Sequence, residues 1–196
     1  MSNFLFVDYG CVLIHIPKNG GTSIRTGFFK GEYEGPKLGM IPEDWEKYFK
    51  FCFVRNPYDR LISCWKMFTS GMSNTNWQFP VDAKPDMSLK EFLGIVMDES
   101  IPYDEKVRKR YEVKIRHHAI PQTHPYNCLQ LADFVGRFEN IEEDFRKVCN
   151  HLGIKGELPH WNMTERDGYQ RYYDDETRKI AEEYYGEDIR QLQYQF

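Results

Sequence analysis

Short apolar runs alternate with longer amphipathic stretches along most of the chain. Four of the apolar runs are rich in Phe, Val, Ile and Leu and predict buried strands. The first two runs flank a Tyr9-Gly10 pair, which predicts a tight turn between them. The predicted strands span residues 4–7, 11–16, 50–54 and 134–138.

Apolar residues three or four positions apart predict helices between and after these strands. Because strands and helices alternate, we expect an α/β fold with a central parallel sheet and helices on both of its faces. Residues 70–87 are rich in Gly, Asn and Pro and predict a long loop, of a length typical of substrate-facing insertions. The predicted helices span residues 22–29, 42–49, 57–69, 88–97, 103–112, 141–152 and 174–185.

Glycines, hydroxyls and one lysine cluster between the second strand and the first helix. Gly20 and Gly21 let backbone N–H groups approach an anion, and the positive dipole end of a helix that begins near Thr22 faces the same place. Thr22 and Ser23 can cap that helix, and Lys18 adds a full positive charge. These features predict a phosphate-binding loop. The loop reads Pro17-Lys18-Asn19-Gly20-Gly21-Thr22-Ser23.

The position of the lysine distinguishes this loop from the ATP and GTP P-loop. In that motif the lysine follows the last glycine and precedes a hydroxyl that binds magnesium. Lys18 instead precedes both glycines, so the motif is not matched, and a plain strand-to-helix turn is the alternative. A lysine placed here would lie beside the far end of a bound 5′-phosphate group, where a transferable group is attached.

A second anion site is predicted after the strand at 50–54. Arg55 follows this strand directly, and Asn56 and Pro57 favour the start of a helix. Ser63 comes about two turns later and can lie on the helix face toward Arg55, where a guanidinium and a hydroxyl together suit a phosphate. Each residue alone would be an ordinary surface arginine or helix serine. Two such sites at strand ends favour a ligand with two phosphates, because ligands of open α/β sheets bind there.

Three segments resemble the sulfotransferases that use 3′-phosphoadenosine 5′-phosphosulfate (PAPS). Residues 16–23 resemble their 5′-phosphosulfate loop, and residues 53–63 resemble their 3′-phosphate site. Residues 135–145 are similar to a segment of the carbohydrate-type branch, which includes heparan 2-O- and chondroitin sulfotransferases and small bacterial relatives. The C-terminal residues 184–194 also fit that branch, so the resemblance covers most of residues 11–196.

The resemblance implies a P-loop-NTPase-like sulfotransferase fold that moves a sulfuryl group from PAPS to an acceptor hydroxyl, such as that of a glycan. The product would be 3′-phosphoadenosine 5′-phosphate, and no metal would be needed. It assigns donor binding to residues 17–23 together with Arg55 and Ser63. Lys18 would stabilise the leaving phosphate oxygen, and Ser63 would hold Lys18 until the acceptor binds.

A histidine is the expected general base, because its pKa lies near neutral pH. Many relatives carry one before the Arg55 strand, but residues 24–54 contain none. His15, directly before the loop, is expected to orient the loop rather than take a proton. The polar choices within that interval are Lys37, Glu43 and Asp44.

The later histidines His117, His118 and His124 are therefore the remaining candidates. His118 leads, because His118-x-x-Pro121-Gln122 resembles a segment near the acceptor site of the carbohydrate branch. The alternative for each of them is a histidine held by a backbone hydrogen bond in a proline-rich loop.

Length and charge predict one catalytic domain over residues 1–196 and no long nucleic acid as partner, since the formal net charge is −4. The basic stretch 106–118 fits either a polyanionic acceptor or a solvated helix face. Five scattered cysteines predict neither disulfides nor a metal site. Without a membrane-spanning run or signal pattern, we expect a soluble, cytoplasmic protein, either a bacterial or viral form or a trimmed catalytic domain. The acceptor and the oligomeric state are not predicted.

Two other functions fit parts of the pattern. A nucleoside or sugar kinase on a related fold would explain a phosphate loop, although the lysine precedes the glycines. A nucleotide-binding module that has lost catalysis would explain why residues 24–54 lack a histidine.

Overall fold

The computed structural model describes residues 3–29, 41–70, 84–102, 110–158 and 168–196. The chain divides into two compact units. The first unit comprises Met1–Arg55 and Gln122–Met163, and the second comprises Asn56–Pro121 and Thr164–Phe196. The expectation of a single domain over residues 1–196 stays a prediction.

A four-stranded sheet forms the centre of the first unit. The strands lie in the order in which they occur along the chain, with β1 antiparallel to β2 and the other pairs parallel. The predicted sheet is therefore confirmed as mostly parallel. Its antiparallel pair arises because β1 and β2 are joined by one short turn, which ends at Gly10 with a φ of 65°. The strands are β1 (Phe4–Phe6), β2 (Cys11–Ile14), β3 (Phe49–Val54) and β4 (Phe134–Arg137).

The two faces of this sheet are covered differently. One face packs its phenylalanines against the helix Ile141–Leu152 and a π-helix at Ser23–Phe28. The other face, which includes Cys52, packs against side chains of the single 3₁₀ turns Glu43–Trp45 and Leu129–Leu131. The expectation of a sheet flanked by helices is confirmed, and the elements that the described residues place on the second face are single 3₁₀ turns. The predicted helix at 42–49 is one turn because β3 already begins seven residues after its start.

The described part of the second unit is helical and has its own core. Capping boxes begin two of its helices, at Ser88 with Glu91 and at Asp174 with Thr177. The core includes buried Phe68, and its other aromatic side chains come from several helices. In chain order the helices of the molecule are α1 (Pro57–Ser70), α2 (Leu89–Met97), α3 (Tyr111–Ala119), α4 (Ile141–Leu152), α5 (Asp175–Tyr184) and α6 (Gly186–Leu192).

The predicted helices at 57–69, 88–97 and 141–152 are confirmed. The helix predicted at 103–112 falls largely on residues 103–109, which lie outside the described residues, and α3 begins only at Tyr111. The helix predicted at 174–185 is present as α5, and α6 follows it directly. Of the predicted loop at 70–87, residues 71–83 lie outside the described residues.

Asp144 connects the first turn of α4 to the end of β4. Its Oδ2 accepts a hydrogen bond from the N–H of Arg137 at 2.8 Å, and its Oδ1 lies 2.8 Å from Nζ of Lys147. Burial by itself would raise the pKa of Asp144, but the hydrogen bonds from Arg137 and Lys147 outweigh burial and lower the pKa. The ionised carboxylate therefore stabilises the packing of α4 on the sheet.

We expect Asp144→Asn to lower the free energy of unfolding at pH 7 by roughly 1.5 kcal/mol, because a charged hydrogen bond is lost. The folded pKa lies below the unfolded value of about 3.9, so this contribution is complete above that value and disappears as the pH falls through the folded pKa. Thermal unfolding from pH 7 to pH 3 should show the wild-type and variant curves converging in acid. The exposed Asp86→Asn is the control, and a difference that does not change with pH would contradict the assignment.

Candidate functional site

The loop between β2 and the π-helix contains two residues with left-handed backbone. Lys18 has a φ of 69° and Gly20 a φ of 82°. A lysine seldom adopts this conformation, which persists only where the surrounding structure holds it. Alternation of left-handed and ordinary backbone turns successive N–H groups toward one concave surface, a geometry that binds anions. The half-buried Lys18 thus belongs to a strained turn with anion-binding character.

Both glycines of this loop lie against side chains that leave no room for a Cβ atom. A Cβ on Gly20 would come within 2.4 Å of Cδ1 of Ile141, and one on Gly21 within 2.3 Å of Cδ2 of His15. The imidazole of His15 therefore packs on the loop backbone, in the manner expected from the sequence. Close packing from two directions determines the path of the loop.

The helix after the loop differs from the expectation. Phe29 donates its N–H to the carbonyl of Ile24 at 3.0 Å, which is the five-residue spacing of a π-helix. Thr22 already has helical φ and ψ, and its side chain makes no capping hydrogen bond to the described residues. The predicted cap at Thr22 is therefore wrong, and Ser23 is the first residue of the π-helix. Both hydroxyls are half-buried.

Two buried amide side chains connect the loop to the end of β3. Asn19 donates from Nδ2 to the carbonyl of Phe53 at 2.7 Å and to Oε1 of Gln122 at 2.8 Å. Gln122 pairs with the backbone of Arg55, accepting its N–H at 2.9 Å and donating to its carbonyl at 2.8 Å. In the sequence, Gln122 stands out only as the last residue of the His118-x-x-Pro121-Gln122 segment. Its one signal was an amide directly after Pro121.

Arg55 reaches back from the end of β3 to the loop. Its Nη1 donates to the carbonyl of Lys18 at 3.1 Å, and its guanidinium carbon lies 4.2 Å from the ring centroid of Phe138. The residue is only 5% exposed. The structure thus brings Lys18 and Arg55, the two cations predicted at separate strand ends, together within the first unit.

Ser63 and His118 belong to the second unit. Ser63 is buried on α1. His118 is half-buried in the last turn of α3, with Nδ1 2.8 Å from the carbonyl of Lys114. Because a carbonyl can only accept, Nδ1 carries the proton, and Nε2 is the nitrogen at which the neutral ring gains a proton. The predicted backbone hydrogen bond is present, but on a helix rather than in a proline-rich loop.

The backbone around His118 is held by buried side chains of other helices. Arg60, 1% exposed, donates to the carbonyls of His118 and Ile120, each at 2.9 Å. The hydroxyl of Tyr185 donates to the carbonyl of Ala119 at 2.6 Å. These contacts satisfy carbonyls that a helix end leaves without intrahelical partners, and Arg60 adds a positive charge at the negative end of the dipole. The position of His118 within the second unit is therefore well determined.

The other candidate bases occupy less suitable places. His117 is 3% exposed, and His124 accepts the N–H of Tyr126 at 3.2 Å, so its Nδ1 serves a 3₁₀ turn. Glu43 and Asp44 are exposed on another turn, and Lys37 lies outside the described residues.

The basic stretch at 106–118 is only partly described, because residues 106–109 lie outside the described residues. Within the described part, Arg116 is buried and donates to the carbonyls of Val96 and Ile101. This arginine therefore stabilises the fold of the second unit.

All five cysteines are buried as free thiols, and burial raises the pKa of Cys11 to about 12. Across the described ranges, no group of His, Cys, Asp and Glu side chains has an arrangement that could hold a metal ion. The helices in the described part of the chain are too short or too polar to cross a lipid bilayer.

The sheet and its turn define an α/β protein with a strained, glycine-containing loop at the end of a strand. A family model described as the sulfotransferase family matches residues 28–195, and the chain belongs to this family. The matched range begins after the Lys18 loop, so the geometry of that loop is an independent observation. The resemblance noted in the sequence is confirmed.

Three relatives illustrate the similarity. Carbohydrate sulfotransferase 11 of Rattus norvegicus is 25% identical over 130 residues, which is 58% of this chain and 35% of the relative. Carbohydrate sulfotransferase 9 of Homo sapiens is 27% identical over 172 residues, 76% of this chain and 35% of the relative. An uncharacterised protein of Archaeoglobus fulgidus is 26% identical over 125 residues, 63% of this chain and 84% of the relative.

The aligned segments thus span about a third of the length of the two named enzymes, at 35% each. No solved structure matches the chain.

We expect Gly20→Ala to lower the free energy of unfolding by roughly 1–3 kcal/mol, because alanine must adopt a positive φ and displace the Ile141 side chain. Gly94→Ala is the matched control, since a Cβ at this position of α2 meets nothing within 4 Å. The control should be more stable than wild type by roughly 0.5–1 kcal/mol. Urea unfolding measures both, and equal effects of the two changes would contradict the strained loop.

Proposed function

We propose that the protein is a sulfotransferase that moves a sulfuryl group from PAPS to an acceptor hydroxyl, with a carbohydrate as the acceptor class. The observation that carries this proposal is the contact between Arg55 and the backbone of Lys18, in a turn whose N–H groups suit an anion. Family membership supports sulfuryl transfer. The carbohydrate sulfotransferases among the relatives support a sugar hydroxyl as acceptor.

The residues of the loop fit a donor that carries phosphate groups. The turn at Lys18 and Gly20 offers N–H donors, and the guanidinium of Arg55 contacts the backbone of Lys18 where the neighbouring strands β2 and β3 end. Residues 17–23 would bind the 5′-phosphosulfate. Arg55 and Ser63 would bind the 3′-phosphate, although the burial of Arg55 leaves little of its guanidinium exposed for direct contact.

The proposed transfer is in line. A bond forms between the acceptor oxygen and sulfur while the bond from sulfur to the phosphate oxygen breaks, so negative charge returns to the phosphate and the acceptor loses its proton. Lys18 would stabilise the returning charge, and Ser63 would restrain Lys18 before the acceptor binds. His118 would take the acceptor proton at Nε2, the nitrogen that its bond to Lys114 leaves unprotonated in the neutral ring.

The nucleotide product tests the donor site. At a concentration of about 100 Kd, 3′-phosphoadenosine 5′-phosphate should stabilise the protein by about 2.7 kcal/mol, because it binds only the folded state. The shift of the melting temperature measures this effect, with ATP and magnesium as the comparison. Stabilisation by ATP and magnesium alone would favour a kinase. If the bisphosphate stabilises the protein but no sulfate is transferred to a broad panel of hydroxyl acceptors, the result would favour a nucleotide-binding module that has lost catalysis.

Lys18→Ala tests the catalytic role of the loop. We expect transfer of labelled sulfate to pooled glycans to fall on the order of 100-fold or more, because a charge at the leaving oxygen is removed. Lys179→Ala, which removes an exposed lysine from α5, is the control and should keep wild-type activity. Circular dichroism must show both variants folded. Full activity of Lys18→Ala would exclude the proposed role.

A further inference from the structure

Gln122 lies where the proposed donor loop meets the end of β3, and it has no part in the chemistry above. We propose that Gln122 is a positioning residue, which holds Asn19 and the backbone of Arg55 together so that loop and arginine face one donor. The inference rests on the proposed function and deepens it. Gln122 touches neither the donor nor the acceptor in this scheme, and it acts through the two residues that it binds.

The hydrogen bonds of Gln122 require both ends of its amide. Oε1 accepts from the N–H of Arg55 at 2.9 Å and from Nδ2 of Asn19 at 2.8 Å, while Nε2 donates to the carbonyl of Arg55 at 2.8 Å. The side chain is 0% exposed, so water cannot replace these partners. A glutamate would keep the acceptor but lose the donor, and a methionine of similar length would lose both.

The orientation of Asn19 follows from the same contacts. Its two neighbours, the carbonyl of Phe53 and Oε1 of Gln122, can only accept, so Nδ2 must face both of them. This orientation leaves Oδ1 buried and without a hydrogen-bond partner among the described residues. An unpaired buried acceptor is costly, so the two bonds from Nδ2 outweigh that cost and determine where the loop lies.

The hydrogen bond between Gln122 and Asn19 is important because of the position of Asn19 in the loop. Asn19 stands between Lys18 and Gly20, the two residues with positive φ, and such backbone persists only when neighbouring contacts hold it. Without Gln122, the loop would lose one of its two anchors at Nδ2, and the backbone of Arg55 would lose two hydrogen bonds. The N–H groups of the loop and the side chain of Lys18 would then spread over several arrangements.

The first measurement follows the loop without any ligand. In Gln122→Met, hydrogen exchange of the amides at residues 18–23 should be faster by roughly tenfold or more, since the buried anchor is gone. Asn127→Ala is the matched control, because Asn127 is also a buried amide of the first unit, at 3% exposure, and its removal tests whether the loss of any buried amide accelerates exchange in the loop. The control should exchange at the wild-type rate in this loop even where its melting temperature falls.

The second measurement follows donor binding. In Gln122→Met, the affinity for 3′-phosphoadenosine 5′-phosphate, measured by titration calorimetry, should fall roughly tenfold or more, and the KM for the donor should rise while the KM for the acceptor stays unchanged. Asn19→Ala should show the same loss of bisphosphate affinity while the hydrogen bonds between Gln122 and Arg55 stay intact. This variant replaces Gln122→Met in the experiment if Gln122→Met does not fold.

The inference would be overturned if the loop amides of Gln122→Met and Asn19→Ala exchanged at the wild-type rate. It would also be overturned if Asn127→Ala accelerated their exchange equally. Unchanged bisphosphate affinity in both variants would overturn it as well. If the wild-type protein does not bind the bisphosphate at all, the proposed function fails, whereas the exchange measurement still decides whether Gln122 holds the loop.

Discussion

The first unit depends on a strained turn that is packed from several sides. Lys18 has a positive φ, which is unfavourable for a lysine, and neither Gly20 nor Gly21 has room for a Cβ atom. The side-chain amide of Asn19 donates hydrogen bonds to two acceptors. Each of these conditions would be unfavourable alone. Together they leave one path for the chain between β2 and the π-helix, and this path sets the positions of the charged and N–H groups.

Three buried arginines of this protein bind main-chain carbonyls. Arg55 binds a loop carbonyl and a phenylalanine ring, Arg60 binds two carbonyls at the end of α3, and Arg116 binds two more. A guanidinium that binds main-chain carbonyls stabilises the backbone, because its N–H groups satisfy buried acceptors that would otherwise be costly to leave without a hydrogen bond.

The sequence predicted those elements that depend on local patterns. Apolar periodicity located the four strands and the helices α1, α2 and α4, and the glycines located the turn between β2 and the π-helix. The features that the sequence did not predict include contacts between residues far apart in the chain. Gln122 binds Arg55 across 67 positions, which no local pattern reports. The loop that leads into the π-helix packs on Ile141 of α4, and α6 begins at Gly186, a residue type that ordinarily ends a helix.

The pair of Gln122 and Arg55 also has a topological consequence. The first unit is interrupted after Arg55 and resumes at Gln122, so the chain departs and returns at two residues that are hydrogen-bonded to each other. The intervening segment, residues 56–121, therefore begins and ends beside the same hydrogen-bonded pair. The Gln122–Arg55 hydrogen bonds fix the spacing between the end of β3 and the point at which the chain turns back toward β4.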